Sequence, residues 1–432
     1  MLTDRYGLEI STASTDARDA YVDSVDRMLA ADGRIEESLD AALAADPDFA
    51  LIHAAYARQH QLMMRGKDAR ASAETAVELV EGATQREQQH VEIISQLVSG
   101  QVPLSLELTH EHMKEYPRDA FALAPATGVF GSIGFSGRVD REAEQLALLE
   151  PLATHYGDDW WFQTVYAFAL LETGEWAKAR TLAERSLEQR PDNSHGAHTL
   201  SHALFEAGAD QDAYGFLSEW IPKADRASLM HCHNWWHYAT LLMKIGDEDA
   251  AFKAFRANCL PGTSDSPSIN VFTDSVAFLW SAELAGAPRS RVLWEEILRY
   301  YEASFRRPIV FVDAHIGLVY AALGDTERLD ECVVELEELG EAGRLPAGTT
   351  AASLTRAYKA FANEDWVSAI DFFEPVMDQV VRIGGSSAQR DLQQNTLLAA
   401  YVNDGRVDEA LAIVAGDPSR QPSRPVVGLS KS

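Results

Sequence analysis

Through most of the chain apolar residues recur at i, i+3, i+4 and i+7 within Ala/Leu/Glu/Arg-rich runs, and alternating strand patterns are almost absent. The pattern predicts helix after helix, punctuated by short Gly, Asp and Pro stops. The stops have a period. Gly174 is followed five positions on by Ala179 and later by Pro191. Gly208 pairs with Ala213, Gly246 with Ala251 and Phe255, Gly324 with Leu329, and Gly405 with Ala410; Glu364 with Ala369 and Phe373 is a degenerate copy. Gly174 and Gly208 stand 34 residues apart, the tetratricopeptide period. The glycine ends the first helix of a hairpin by supplying a left-handed residue. The small residue five positions later lets the second helix cross closely, and the proline closes it. Such a hairpin cannot bury its own apolar face, so neighbours must stack.

The expected fold is therefore all-α: a tetratricopeptide-like α-solenoid of helical hairpins curled around a central pocket. It forms a single superhelix over residues 1–418, and residues 419–432, with Pro422, Pro425, Gly428 and no periodicity, are expected to be a flexible tail. The N-terminal third is less regular, with Ser136-Gly137-Arg138 as one further turn between helices. Residues 260–268 (LPGTSDSPS) form the one long breaker-rich loop inside the array, a connector or a lid.

Composition narrows the function classes. The 432 residues are 46% hydrophobic, enough for a sizeable core, and carry a formal net charge of -29. That excess repels phosphate backbones and anionic headgroups, which argues against nucleic acid and membrane surfaces as partners. Cys232, Cys259 and Cys332 are too few and scattered for a disulfide framework. With no signal-peptide pattern and no long apolar span, the expectation is a soluble cytoplasmic protein, self-association being open.

Six of the thirteen histidines fall between positions 195 and 237. His198 and His202, and again His233 and His237, are four residues apart, which puts both imidazoles of a pair on one helix face. Imidazole is the commonest metal ligand and the usual proton carrier near neutral pH. His195 and His231 complete the two sets.

Several strings around these positions resemble the tetratricopeptide repeat protein 38 family and its bacterial relatives. They are Ala197-His198-Thr199 with His202, Cys232-His233-Asn234 with Trp236-His237, Thr273-Asp274-Ser275, Asp313-Ala314-His315, and Gly384-Gly385-Ser386 with Ala388-Gln389-Arg390-Asp391. Gly7 with Ser11-Thr12 and the Ala45-Asp46-Pro47 turn look similar too. The resemblance runs over nearly the whole chain and implies an all-helical repeat fold; it brings no reaction with it. His195 and His231 depart from the family pattern, which lowers their weight as ligands.

In tetratricopeptide arrays the first helix of each hairpin lines the concave side. Counted back from the helix-ending glycines, His195 and His233 stand 13 before, and His198 and Trp236 stand 10 before, so the two sets occupy matching faces of neighbouring helices. His237 is one position off that face, towards the neighbouring helix, and His315 repeats its offset from Gly324. His198, His202, His233, His237 and His315 can thus converge as ligands of a zinc, iron or manganese ion, with Asp313 or Asp274 orienting a ligand or acting as base. Trp161 and Phe168 fall on groove offsets and would form an apolar wall for a small ligand, with Trp236 and Asn234 beside it. The double glycine and serines before Arg390 suit a helix N-terminus that favours an anion, and Arg390 would hold a substrate carboxylate. No nucleotide fingerprint occurs, so a nucleotide cofactor is not expected, and neither HExxH nor GxSxG is present.

The leading expectation is a metal-dependent enzyme, a hydrolase, acting on a small molecule in the concave pocket. The competing ones are a scaffold that binds a protein or peptide, the usual role of such repeats, and a metal-free small-molecule binder.

Overall fold

The glycine stops fall where the helices turn. In the computed structural model, which describes residues 2–306, 308–416 and 425–429, Gly174, Gly208, Gly246, Gly324 and Gly405 all adopt φ between +67° and +90°. Glu364, the degenerate copy, takes the same left-handed conformation at φ +59°. The small residue five positions on is buried in every repeat: Ala179, Ala213, Ala251, Ala369 and Ala410 at 0% exposure and Leu329 at 2%.

The hairpins follow in order: Trp160–Glu172 with Trp176–Gln189, Ser194–Glu206 with Asp210–Trp220, His231–Lys244 with Glu248–Asn258, and Ser268–Leu284 with Arg291–Ser304. Then come Val310–Leu323 with Thr326–Glu341, Thr350–Ala362 with Trp366–Phe373, and Ser387–Asn403 with Val407–Gly416. The N-terminal third is more regular than its sequence, with three hairpins between Thr15 and Glu115. The chain is an all-α, tetratricopeptide-like solenoid; the only described strands are the two-residue pair Leu2–Thr3 and Glu9–Ile10.

The two helices of a hairpin have different lives. In Trp176–Gln189 only Ala179, Ala183 and Ser186 are buried, the stripe of a surface helix. In the helix before it, Trp160–Glu172, all but the last residue are buried. Buried polar residues are therefore concentrated on the first helices, where burial demands partners.

The curl closes on itself. Trp280 Nε1 donates to Thr396 Oγ1 at 3.0 Å. Ser387 donates from its backbone N to Glu172 at 3.1 Å and from its hydroxyl to Glu206 at 2.8 Å. The predicted turn at Gly137 takes φ +72° and lies so close to Pro346 that a Cβ there would meet its carbonyl carbon at 2.3 Å; Arg382 Nε donates to the Gly137 carbonyl at 2.7 Å. The helix Ser387–Asn403 thus bridges inner helices far apart in the array.

The described part of the expected tail, residues 425–429, is docked. Val427 N donates to Leu284 O at 3.0 Å, and Val426 and Leu429 are buried. Two apolar side chains and one backbone bond suffice to hold a segment that has no periodicity of its own. The rest of 419–432 lies outside the described residues. No described helix is long and apolar enough to cross a membrane.

Among the described residues two large apolar cores divide the array, one over the N-terminal half and one over the C-terminal half, with a small third cluster at Leu336, Leu345, Ala351 and Ala352. The His231–Lys244 helix belongs to both: Leu241 packs in the first, and Cys232, Trp236, Ala239 and Leu242 in the second.

Candidate metal centre

Four histidines from two neighbouring inner helices, His198, His202, His233 and His237, bring one ring nitrogen each to within 4.8 Å of one another. All four are buried, none more than 3% exposed. Ring centroids lie 4.5 Å apart for His198–His202 and for His202–His237, and 4.7 Å apart for His233–His237. His198 Nε2 and His233 Nε2 stand 3.1 Å apart.

Local structure explains how they are held. Asn193 caps the first histidine helix, its Oδ1 accepting from Gly196 N at 2.9 Å. Just ahead of the second, Ser266 of the 260–268 loop accepts from Cys232 N at 3.0 Å and donates to Ser228 O at 3.2 Å. That loop is a pinned wall in this arrangement. The turn after the first N-terminal helix docks between both: Ala30 O accepts from His195 N, and Ala31 O from Leu229 N, each at 3.1 Å. Gly33 makes the approach, since a Cβ there would stand 2.8 Å from that of Ala227.

Behind His233, Asp274 Oδ2 accepts from Nδ1 at 2.9 Å. A carboxylate on Nδ1 leaves Nε2 as the lone-pair nitrogen and aims it at His198, the usual arrangement behind a metal-bound imidazole. Trp236 stacks on the His233 ring at 5.1 Å and 14°, and Phe168 on the His198 ring at 5.5 Å and 21°. Burial, then the neighbouring imidazoles, hold His198 well below the ordinary imidazole range. Burial, with His233 and Arg390, brings His202 down to about 3. At neutral pH both are therefore uncharged, the form that binds metal. Among the described residues neither ring nitrogen of His202, nor Nδ1 of His198, has a hydrogen-bond partner. A fully buried, unsatisfied imidazole costs about 1–3 kcal/mol, which a bound cation relieves.

The site opens on a cavity of about 360 Å³. His198 and His233 reach it, as do Trp161 and Phe168, the predicted apolar wall. His195 lines it too, although the family pattern set that residue aside; burial lowers its pKa to about 4.

The structure corrects four sequence expectations. His315 stands outside the four-histidine group: its Nδ1 lies 2.7 Å from Phe311 O one turn back, and its ring packs on Phe311. Asp313 faces a different pocket, beside Tyr301, Cys332 and Glu335, because two residues along a helix turn a side chain well away from its neighbour's face. Burial raises it to about 7. Asn234 ties the histidine helices together, Nδ2 donating to Ser194 O at 3.2 Å, and it and Trp236 pack behind the cavity wall. Arg390, one turn into its capped helix, donates to Glu142 at 2.6 Å and lies 3.8 Å from Glu172; its charge is engaged in closing the curl.

The matched helix offsets did not predict which rings would meet. His198 and His202, 10 and 6 before Gly208, face His233 and His237, 13 and 9 before Gly246. The neighbouring helices are about one turn out of step. Sequence reasoning missed Arg58 and the link 127–135, which also line the cavity. The signal for the link was available: Gly128, Gly131, Gly134 and Gly137 recur every third residue, a spacing that suits neither helix nor strand.

No family model matches this chain. Among solved structures, it aligns with one from the complex described as Naa15/Naa10 bound to HypK-THB, at 12% identity and a TM-score of 0.22. The alignment covers 94% of this chain and 65% of that one, so this chain spans less than two thirds of the solved chain. A superposition that loose carries no argument about fold or function.

Proposed function

We propose that this protein is a cytoplasmic metal-dependent enzyme of the tetratricopeptide repeat protein 38 kind, which hydrolyses a small molecule in the cavity beside the histidines. The observation that carries the reading is the convergence of His198, His202, His233 and His237, with Asp274 behind His233 and the cavity in front. A set of imidazole ligands suits zinc or iron better than manganese, which prefers oxygen ligands. His198 and His233 would hold the ion where they line the cavity, which is where a substrate and water would reach it. An ion held by these four imidazoles would supply a water of lowered pKa and a Lewis acid for the scissile group. The water oxygen attacks the electrophilic carbon, the bond to the leaving group breaks, and the water's proton passes to the leaving group. His233, held by Asp274, keeps the ion in register, and Trp161 and Phe168 exclude bulk water from one wall.

A peptide-binding scaffold is less well supported, because the helix Ser387–Asn403 is bonded to three inner helices, through Trp280, Glu172 and Glu206. Elemental analysis after loading with zinc, iron and manganese in turn tests the metal. One ion per chain is expected, lost in a His198→Ala, His233→Ala variant that keeps its helical circular dichroism. No stoichiometric metal under any loading would overturn the metal reading and leave the cavity as a metal-free binding site.

A further inference from the structure

Among the described residues 26 line the cavity, and not one of these is Asp or Glu, although the chain carries 66 of them. The lining holds, among the described residues, one permanently charged side chain, Arg58, near the end of the helix Ala50–Leu62. Around it the walls are Leu62, Phe130, Phe135, Trp161, Ile269 and Ile309. The Arg58 guanidinium donates to Gln61 Oε1 at 2.7 Å, and among the described residues no carboxylate lies within ion-pair distance of it. Burial without an acidic neighbour lowers its pKa to about 10. Among the described residues the two arginines buried in closing the fold have polar partners of their own, although burial and Arg390 bring Arg141 to about 10 as well. Arg86 pairs with Asp119 at 2.8 Å, and Arg141 donates to the carbonyls of Val381 and Gly385. A cation in an apolar wall without its anion is costly, and the natural relief is an anion that arrives with the ligand.

We propose that the cavity takes a monocarboxylate with an apolar body, its carboxylate on Arg58 and its apolar part running past Trp161 and Phe168 towards His198 and His233. One guanidinium matches one carboxylate in a two-point contact. A phosphate dianion would be left half neutralised in a protein whose net charge is already -29. The volume, about 360 Å³, is in the range of sites for small organic ligands. The inference rests on the cavity being the substrate site of the proposed enzyme, and it holds whether or not the metal is present.

Calorimetry with decanoate, decan-1-ol and decyl phosphate as probes tests it, on metal-free and zinc-loaded protein. Decanoate is expected to bind both forms, at least tenfold more tightly than the alcohol or the phosphate. Arg58→Met should weaken decanoate roughly 10- to 100-fold and leave the alcohol unchanged, as loss of one charge-assisted contact predicts. Arg58→Lys, which keeps the charge and loses the fork, should fall between, and serves if the Met variant does not fold. Equal binding of acid and alcohol by the wild-type protein, tighter binding of the phosphate, or no binding of any probe would overturn the proposal. Metal content is read separately by elemental analysis, so failure of the carboxylate proposal and failure of the metal reading are distinguishable.

Discussion

His233 Nδ1 lies 2.9 Å from Asp274 Oδ2, and that one bond decides which nitrogen of the ring faces the other histidines. The carboxylate holds the proton on Nδ1 and leaves Nε2, 3.1 Å from His198 Nε2, as an acceptor. Asp274 is thus a positioning residue, acting through His233.

Replacing Asp274 by Asn tests this. The amide can present its NH₂ to Nδ1 and so favour the tautomer with the proton on Nε2, the wrong one for ligation. Zinc affinity, measured by competition with a chelator, should fall about 10- to 100-fold. An unchanged affinity would mean that the carboxylate does not set the ring's tautomer.

The four-histidine grouping separates ligands from near neighbours. His202→Ala should weaken zinc binding at least about tenfold, since the site loses one of its four nitrogens. His315→Gln should leave it unaltered, because that ring is engaged with Phe311 O. Equal losses in both variants would restore His315 to the ligand set.

Asp313 makes a pH prediction. Its folded pKa, about 7, lies above the usual 3.8 because the carboxyl is buried. As pH rises through 3.8 the unfolded chain ionises first, so the group costs stability progressively up to about pH 7. By linkage that penalty is at most about 4 kcal/mol. Asp313→Asn should therefore gain stability over the wild type at pH 8 relative to pH 4, as read from urea unfolding. A stability difference independent of pH would remove the buried-acid account. Zinc affinity should stay unchanged, since Asp313 faces another pocket.

Arg390 is expected to matter for folding more than for ligand binding. Its contacts with Glu142 and Glu172 join the last hairpin to the helices Arg141–Leu149 and Trp160–Glu172, and Glu172 is already raised by burial. Arg390→Met removes the charge-assisted bond to Glu142, while Glu172 can answer by keeping its proton, and should destabilise by about 1–3 kcal/mol. A fully stable variant with impaired decanoate binding would return Arg390 to the ligand.

Glu364 holds a position that favours glycine. At φ +59° it carries left-handed strain of about 1–3 kcal/mol, of which glycine gives back about 0.4–1 in unfolded-state entropy. Glu364→Gly should stabilise by about 1 kcal/mol in chemical denaturation.

The hairpin order was legible because it is written locally: the turn glycines demand φ above zero, and the small residue after each demands a close crossing. Pairing of His198 with His202 and of His233 with His237 was legible for the same reason, since i,i+4 geometry needs only a helix. The corrections all concern what lies beyond one helix. Asp313 and His315 share a helix and a short motif but face different neighbours. Arg390 sits in a string that looks like an anion site, and the fold spends its charge on Glu142 and Glu172. The half-turn docking of Ala30 and Ala31 onto the histidine helices, and the arrival of Arg58 in the same cavity, join residues more than a hundred positions apart. By itself the sequence determined the helices, their turns and the faces on which the histidines lie, because backbone preferences and short-range spacing settle these. Only the tertiary structure decided which faces meet, because the relative shift of neighbouring helices and the closure of the curl come from packing summed over the whole array.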